Sequence, residues 1–124
     1  MASIVQIVSY FNSAKQQAIV WHHQTTSFSE HKALENFYTE IIELLDGLSE
    51  SYAGIYGRLK GYDVHDTPDW TGLDATISYF KNCYDWLVIE RKNAPQDSWI
   101  QNQLDEIAQL LGETLYQLSL RTNG

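Results

Sequence analysis

Apolar residues recur every three or four positions in four stretches of this chain, and turn-forming residues separate the stretches. That period is helical, because a half-buried strand would need strict alternation. The first stretch predicts a helix over 4–24, with Ile4, Val8, Phe11, Ala18 and His22 along one stripe and Ile7 and Trp21 beside it. Thr25, Thr26 and Ser27 interrupt it. Ser27 and Glu30 then have the spacing of a capping box, in which the hydroxyl accepts from the backbone of Glu30 and the carboxylate reaches back. A second helix over 28–59 carries Leu34, Phe37, Ile41, Leu44, Leu48 and Ile55, with Leu45 and Tyr52 widening the stripe, and Gly57 and Gly61 end it.

The link from Gly61 to Trp70 is the longest loop. Thr71 with Asp74 suggests a cap for a third helix over 72–92, whose stripe is Leu73, Ile77, Phe80, Tyr84 and Leu87. Asn93, Ala94 and Pro95 break it. Asp97 or Ser98 caps a fourth helix over 98–121, with Ile100, Leu104, Ile107, Leu111, Leu115 and Leu118 on one side. Four amphipathic helices with mostly short connections predict an all-α fold, a single-domain antiparallel four-helix bundle. The length of 124 residues fits one domain, and 44% hydrophobic residues supply a core.

Charge narrows the function classes. The formal net charge is −8, and the eight basic residues are scattered rather than clustered. Such a chain repels phosphate backbones and anionic lipid heads and attracts cations, so DNA binding and membrane association are not expected. One cysteine, Cys83, excludes an intrachain disulfide and a cysteine zinc site, and suits a reducing compartment as a buried structural thiol. No cationic stretch followed by an apolar run opens the chain, and no apolar run reaches membrane-spanning length. A cytoplasmic protein, of either a cell or a virus, is expected.

The polar residues of the second helix raise a chemical question. With about 100° per residue, His31, Glu35, Thr39, Ile42, Asp46 and Glu50 form a second stripe well away from the apolar one. It faces water or another subunit. Asp46 and Glu50 stand one turn apart and can reach one metal or two adjacent metals. His22 continues the first helix's apolar stripe, where an imidazole must find a partner or keep contact with water. Imidazoles and carboxylates together suit iron(II). Acidic residues on a helix are also commonly a solvated face, and the spacing leaves both readings open.

The stretch His22-His23-Gln24-Thr25, followed by His31, Tyr38, Asp46 and Glu50, resembles the ferroxidase segment of the Dps-type mini-ferritins in the ferritin-like superfamily. In that family a histidine closes the first helix, a second opens the next, and an aspartate and a glutamate follow at the spacing that His31, Asp46 and Glu50 have here: fifteen positions, then four. The chain is closer still to small Dps-related sequences of tailed phages, with their His-x-Gln-Thr-x-Ser stretch followed by His-Lys. Three departures stand out. The His22–His31 spacing of nine is shorter than the family's, His23 replaces the usual tryptophan, and the Lys-rich tail of the DNA-binding members is missing.

The resemblance implies a ferritin-like bundle and a homo-oligomer, at least a dimer and up to a dodecameric cage, in the cytoplasm of a bacterium or of a phage-infected host. It implies an enzyme of the ferroxidase kind that oxidises iron(II) with peroxide or dioxygen and stores the product. His22, His31, Asp46 and Glu50 would be the metal ligands, with His23 an alternative to His22 and Glu35 assisting. The site would be non-haem iron, mononuclear or dinuclear, shared between the two histidines of one subunit and the two acids of its twofold partner. Gly47 and Gly54 would let that partner approach. The alternative is a non-catalytic helical assembly or interaction protein, of viral type, that keeps the bundle without the metal. Two weaker features are the loop residues Asp63, His65, Asp66 and Asp69 as a cation site, and Trp70, Trp86 and Trp99 as a docking surface.

Overall fold

The computed structural model describes residues 3–120. Within them the chain forms helices α1 (Ile4–Gln24), α2 (Phe28–Tyr56), α3 (Leu73–Glu90) and α4 (Ser98–Ser119), with a short 3₁₀ turn at Arg91–Asn93. No strand occurs among the described residues. α1 packs on α2, α2 and α3 both pack on α4, and α1 touches α3 more lightly. One buried cluster draws on all four helices, with Phe11, Leu34, Phe37, Phe80, Leu104 and Ile107 fully enclosed. Among the described residues no helix is long and apolar enough to cross a membrane.

The expected stripes hold in α1 and α4 and most of α2, because there the helical period matches the core face. Ile55 is a correction: it continues the period of α2 but is 69% exposed. At its level the helix has run past the core, and α2 ends at Tyr56 rather than at 59. Gly57, at φ +101°, takes the chain out of the helix in a conformation that a side chain would resist. α3 is corrected in register. Its buried face is Thr76, Phe80, Cys83 and Leu87, while Tyr84 is largely exposed and Leu73 and Ile77 are half-buried. Cys83 is buried, as expected, and Thr76 occupies a core position that a search for large apolar residues passes over. Gly72 rather than Thr71 is the N-cap of α3, at φ +133° and without a side-chain cap. α3 closes at Glu90 and α4 at Ser119, and position 121 of the expected fourth helix lies outside the described residues.

Arg91 joins the end of α3 to α4, donating to the Gln101 side chain and backbone carbonyl at 3.0 Å each and pairing with Asp105 at 2.6 Å. Asp97 precedes α4 as expected, but its carboxylate accepts from the Tyr56 hydroxyl at 2.8 Å rather than from its own helix.

The segment 57–72 has no regular structure and is stitched onto α1. The Pro68 carbonyl accepts from Gln17 Nε2 at 2.9 Å and Trp21 Nε1 at 2.8 Å. The backbone N–H of Asp63 donates to Ser9 Oγ at 2.9 Å. Gln24 holds the other end, accepting from the Trp70 backbone at 2.7 Å and donating to Asp69 at 2.9 Å. This stitching places Trp70 against the junction of α1 and α2.

Candidate metal centre

The junction is built by two helix ends meeting. α1 stops where Thr25 turns extended, its N–H still bonded to the Trp21 carbonyl at 2.8 Å. α2 starts at Phe28, with Ser27 Oγ accepting from the Glu30 N–H at 3.4 Å, as the capping spacing predicts. The three-residue link brings the last turn of one helix against the first turn of the next.

His22 and His31 meet there. His22 Nδ1 lies 2.8 Å from the His31 carbonyl, and His31 Nδ1 lies 2.8 Å from the His22 carbonyl. The rings stack with centroids 3.7 Å apart and an interplanar angle of 17°. A carbonyl only accepts, so each Nδ1 must carry the proton. In the neutral rings both Nε2 atoms are then free to accept or to coordinate. A ring N–H donated to a backbone carbonyl is also the arrangement that fixes the tautomer of a metal-bound histidine. Tyr38 meets His22 edge-on at 5.3 Å, and Phe28 covers His31 at 6.0 Å.

Glu35 stands one turn after His31 and is half-buried. One ligand atom each from His22, His31 and Glu35 can be chosen so that all three lie within 4.8 Å of one another. Among the described residues this is the one such group. Two imidazoles and one carboxylate make a donor set that suits non-haem iron(II) with open positions, and imidazole also suits zinc. Glu35 already has a cationic neighbour, Lys32 Nζ at 3.4 Å, which any metal would have to displace or share.

The remaining sequence candidates lie elsewhere. His23 is exposed, its ring 5.2 Å from that of His22 and outside the convergent group. Asp46 and Glu50 are exposed on α2, on the outward stripe that the helical period assigned to them. At 1.5 Å per residue Asp46 sits about 22 Å along the helix from His31, so one chain does not bring it to the histidines. A Cβ at Gly54 would meet nothing within 4 Å, and one at Gly47 would meet only the Gln103 side chain at 3.7 Å. The loop residues Asp63, His65, Asp66 and Asp69 are exposed and do not converge. Trp70, Trp86 and Trp99 are half-buried against the core, and Trp86 stacks on Tyr10 at 3.9 Å.

Sequence reasoning missed what Glu30 does. It is 1% exposed, and its carboxylate does not return to Ser27. Oε1 accepts from Thr25 Oγ1 at 2.9 Å, and Oε2 accepts from Trp70 Nε1 and Thr76 Oγ1 at 2.8 Å each. The Ser27 N–H goes to Thr25 Oγ1 instead, at 3.2 Å. Two of the three donors come from 40 or more positions away, so the local spacing read as a capping box gave no sign of them.

A family model described as a family of unknown function, DUF5856, matches residues 22–118. The stretch begins at His22 and takes in His31 and Glu35. The chain is also 30% identical over 113 residues to an uncharacterized 14.6 kDa protein in the mobD-ri intergenic region of Enterobacteria phage T4, covering 90% of this chain and 79% of the phage protein. No solved structure matches.

Proposed function

Because the chain belongs to DUF5856, a family of unknown function, its activity has to be read from its own side chains, and we propose that it is a ferritin-like bundle that binds iron(II) and oxidises it. The observation that carries this is the reciprocal His22–His31 pair, which holds both Nδ1–H groups on carbonyls, leaves both Nε2 atoms outside those bonds, and forms with Glu35 a group whose ligand atoms converge within 4.8 Å. Iron(II) is here the substrate, giving its electron to dioxygen or peroxide. His22, His31 and Glu35 hold it from one subunit. Asp46 and Glu50 complete the site from a second copy of the chain, since their own histidines are out of reach. Their outward aim and the open surface at Gly54 support a partner there. The net charge of −8 draws cations toward the assembly.

Aerobic addition of iron(II), followed by the absorbance of ferric products, tests this. Oxidation above the buffer rate that falls on His31→Ala and on Asp46→Ala supports it; no oxidation above buffer overturns it. Light scattering gives the assembly, since a monomer cannot form a site shared between copies.

A second reading has its own observation. The two Nδ1···O bonds are complete without any metal, and Glu35 has Lys32, so the pair also works as a clasp between helix ends in a non-catalytic assembly protein. Full folding with no metal uptake would favour it.

A further inference from the structure

The carboxylate of Glu30, the residue before His31, is buried, and the three groups hydrogen-bonded to it are neutral donors. A buried charge is costly unless it is fully hydrogen-bonded, so this arrangement calls for a reason. We propose that Glu30 is the positioning residue of the His22–His31–Glu35 site, holding the two histidine-bearing helix ends in register and tying that register to Trp70 and to α3. The part concerning metal rests on the function proposed above; the part concerning the histidines does not.

Thr25, which ends α1 three residues after His22, gives its hydroxyl to Glu30 Oε1. Glu30 immediately precedes His31 in the first turn of α2. One carboxylate therefore spans the two ends that exchange the His–carbonyl bonds. Its second oxygen is held by the Trp70 indole, at the end of the stitched segment, and by Thr76, in the core face of α3. Without these donors the carboxylate has little reason to stay buried, and the two 2.8 Å bonds between the histidines depend on helix ends that are no longer tied.

Three variants separate positioning from a plain stability effect. Trp70→Phe removes the indole N–H and keeps an aromatic ring. Thr76→Val removes the hydroxyl and keeps the shape. Glu30→Gln removes the charge. Nitrogen-15 NMR of the metal-free protein reads the imidazole tautomers and the exchange of the Nδ1 protons. Cobalt(II), titrated as a spectroscopic probe, reads affinity and ligand field. In the wild type the Nδ1 protons of His22 and His31 are expected to exchange slowly. In Trp70→Phe and Thr76→Val, with helix content unchanged, they should exchange at least tenfold faster. Cobalt should bind roughly tenfold more weakly with an altered visible spectrum, the scale seen when groups supporting a metal ligand are removed. Unchanged Nδ1 exchange in folded Trp70→Phe and Thr76→Val overturns the proposal, whether or not cobalt binds. Should Glu30→Gln not fold, those two milder variants decide the matter. A wild type that binds no cobalt but whose variants lose Nδ1 protection would count against the iron reading and leave the positioning role standing.

Discussion

His22 and His31 each hold the other's backbone: the Nδ1 of one lies 2.8 Å from the carbonyl oxygen of the other, in both directions. The last turn of α1 and the first turn of α2 are therefore locked by side chains, and the His22 carbonyl, one of those that the end of α1 leaves orphaned, finds a donor there. Removing His31 leaves the terminal His22 carbonyl without its donor, removing His22 takes a second donor from a His31 carbonyl that α2 still satisfies, and either change leaves a gap in a 3.7 Å stack. His22→Ala and His31→Ala should each cost about 1–3 kcal/mol of stability. His22, the more buried of the two, should cost more. Urea unfolding of the metal-free protein measures this. A loss below about 0.5 kcal/mol, the range of an unremarkable surface change, would mean that the clasp contributes little.

Glu35 should behave in the opposite way. Its ion pair with Lys32 is solvent-exposed, and such pairs contribute about 0–1 kcal/mol. Glu35→Gln is expected to leave the urea midpoint nearly unchanged while weakening metal binding about tenfold or more. Lys32→Ala should strengthen metal binding by freeing the carboxylate. Calorimetric titration of the two variants checks both signs, and equal affinities in wild type and Glu35→Gln would remove the carboxylate from the site.

Stability should decline on the alkaline side. Burial pushes the Cys83 thiol from its ordinary 9.0 up to about 12. Burial, with the neighbouring Cys83, also raises the hydroxyls of Tyr10 and Tyr79 well above their ordinary 10.0. The unfolded chain gives up these protons at lower pH than the folded one. Their contribution is thus fully present below about pH 9 and is lost as the pH rises toward 12. Denaturant midpoints measured from pH 7 to 10.5 should be flat at first and then fall. A midpoint that holds or rises above pH 9 contradicts this. At pH 8 the native thiol should also resist alkylation that the unfolded chain undergoes readily.

Two glycines make opposite predictions. Gly54 lies inside α2 with open space where a Cβ would go, so Gly54→Ala should stabilise the single chain by up to about 1 kcal/mol. Gly72 sits at φ +133°, where Gly72→Ala would be strained by about 1–3 kcal/mol. Thermal unfolding of the two variants gives the signs. Gly54→Leu adds an assembly test: if a second copy packs on this face, light scattering should show smaller particles of a still-folded chain.

The parts of the molecule that were legible in the sequence are those where one residue's hydrophobicity suffices. Phe11, Leu34, Phe37, Ile41, Leu104 and Ile107 all sit in the core where the helical period puts them. The period also found His22 on the buried side of α1 and Asp46 and Glu50 on the outer side of α2. In α3 it was right for Phe80 and Leu87, and Cys83 is enclosed as expected, but Thr76 takes a core position because Glu30 satisfies its hydroxyl, while Tyr84 on the expected stripe is exposed. Ile55 misled for the opposite reason, continuing a stripe beyond the point where anything covers it. The resemblance put His22 and His31 at one site, but their reciprocal bonds could not be read, since these depend on backbone carbonyls, which every residue carries alike. Glu30 has the same lesson in a side chain: its partners Trp70 and Thr76 become neighbours only after the segment 57–72 has been drawn across α1.

That drawn-across segment makes continuity of the chain dispensable at its middle. Val64 is 95% exposed, while the Asp63 N–H on one side of it and the Pro68 carbonyl on the other are each fastened to α1. A protease that nicks the backbone at Val64 should leave two fragments that stay associated, and 1–64 and 65–124 expressed apart should reassemble on mixing. The first fragment would bring all three of His22, His31 and Glu35, and the second would bring Trp70 and Thr76 to hold Glu30.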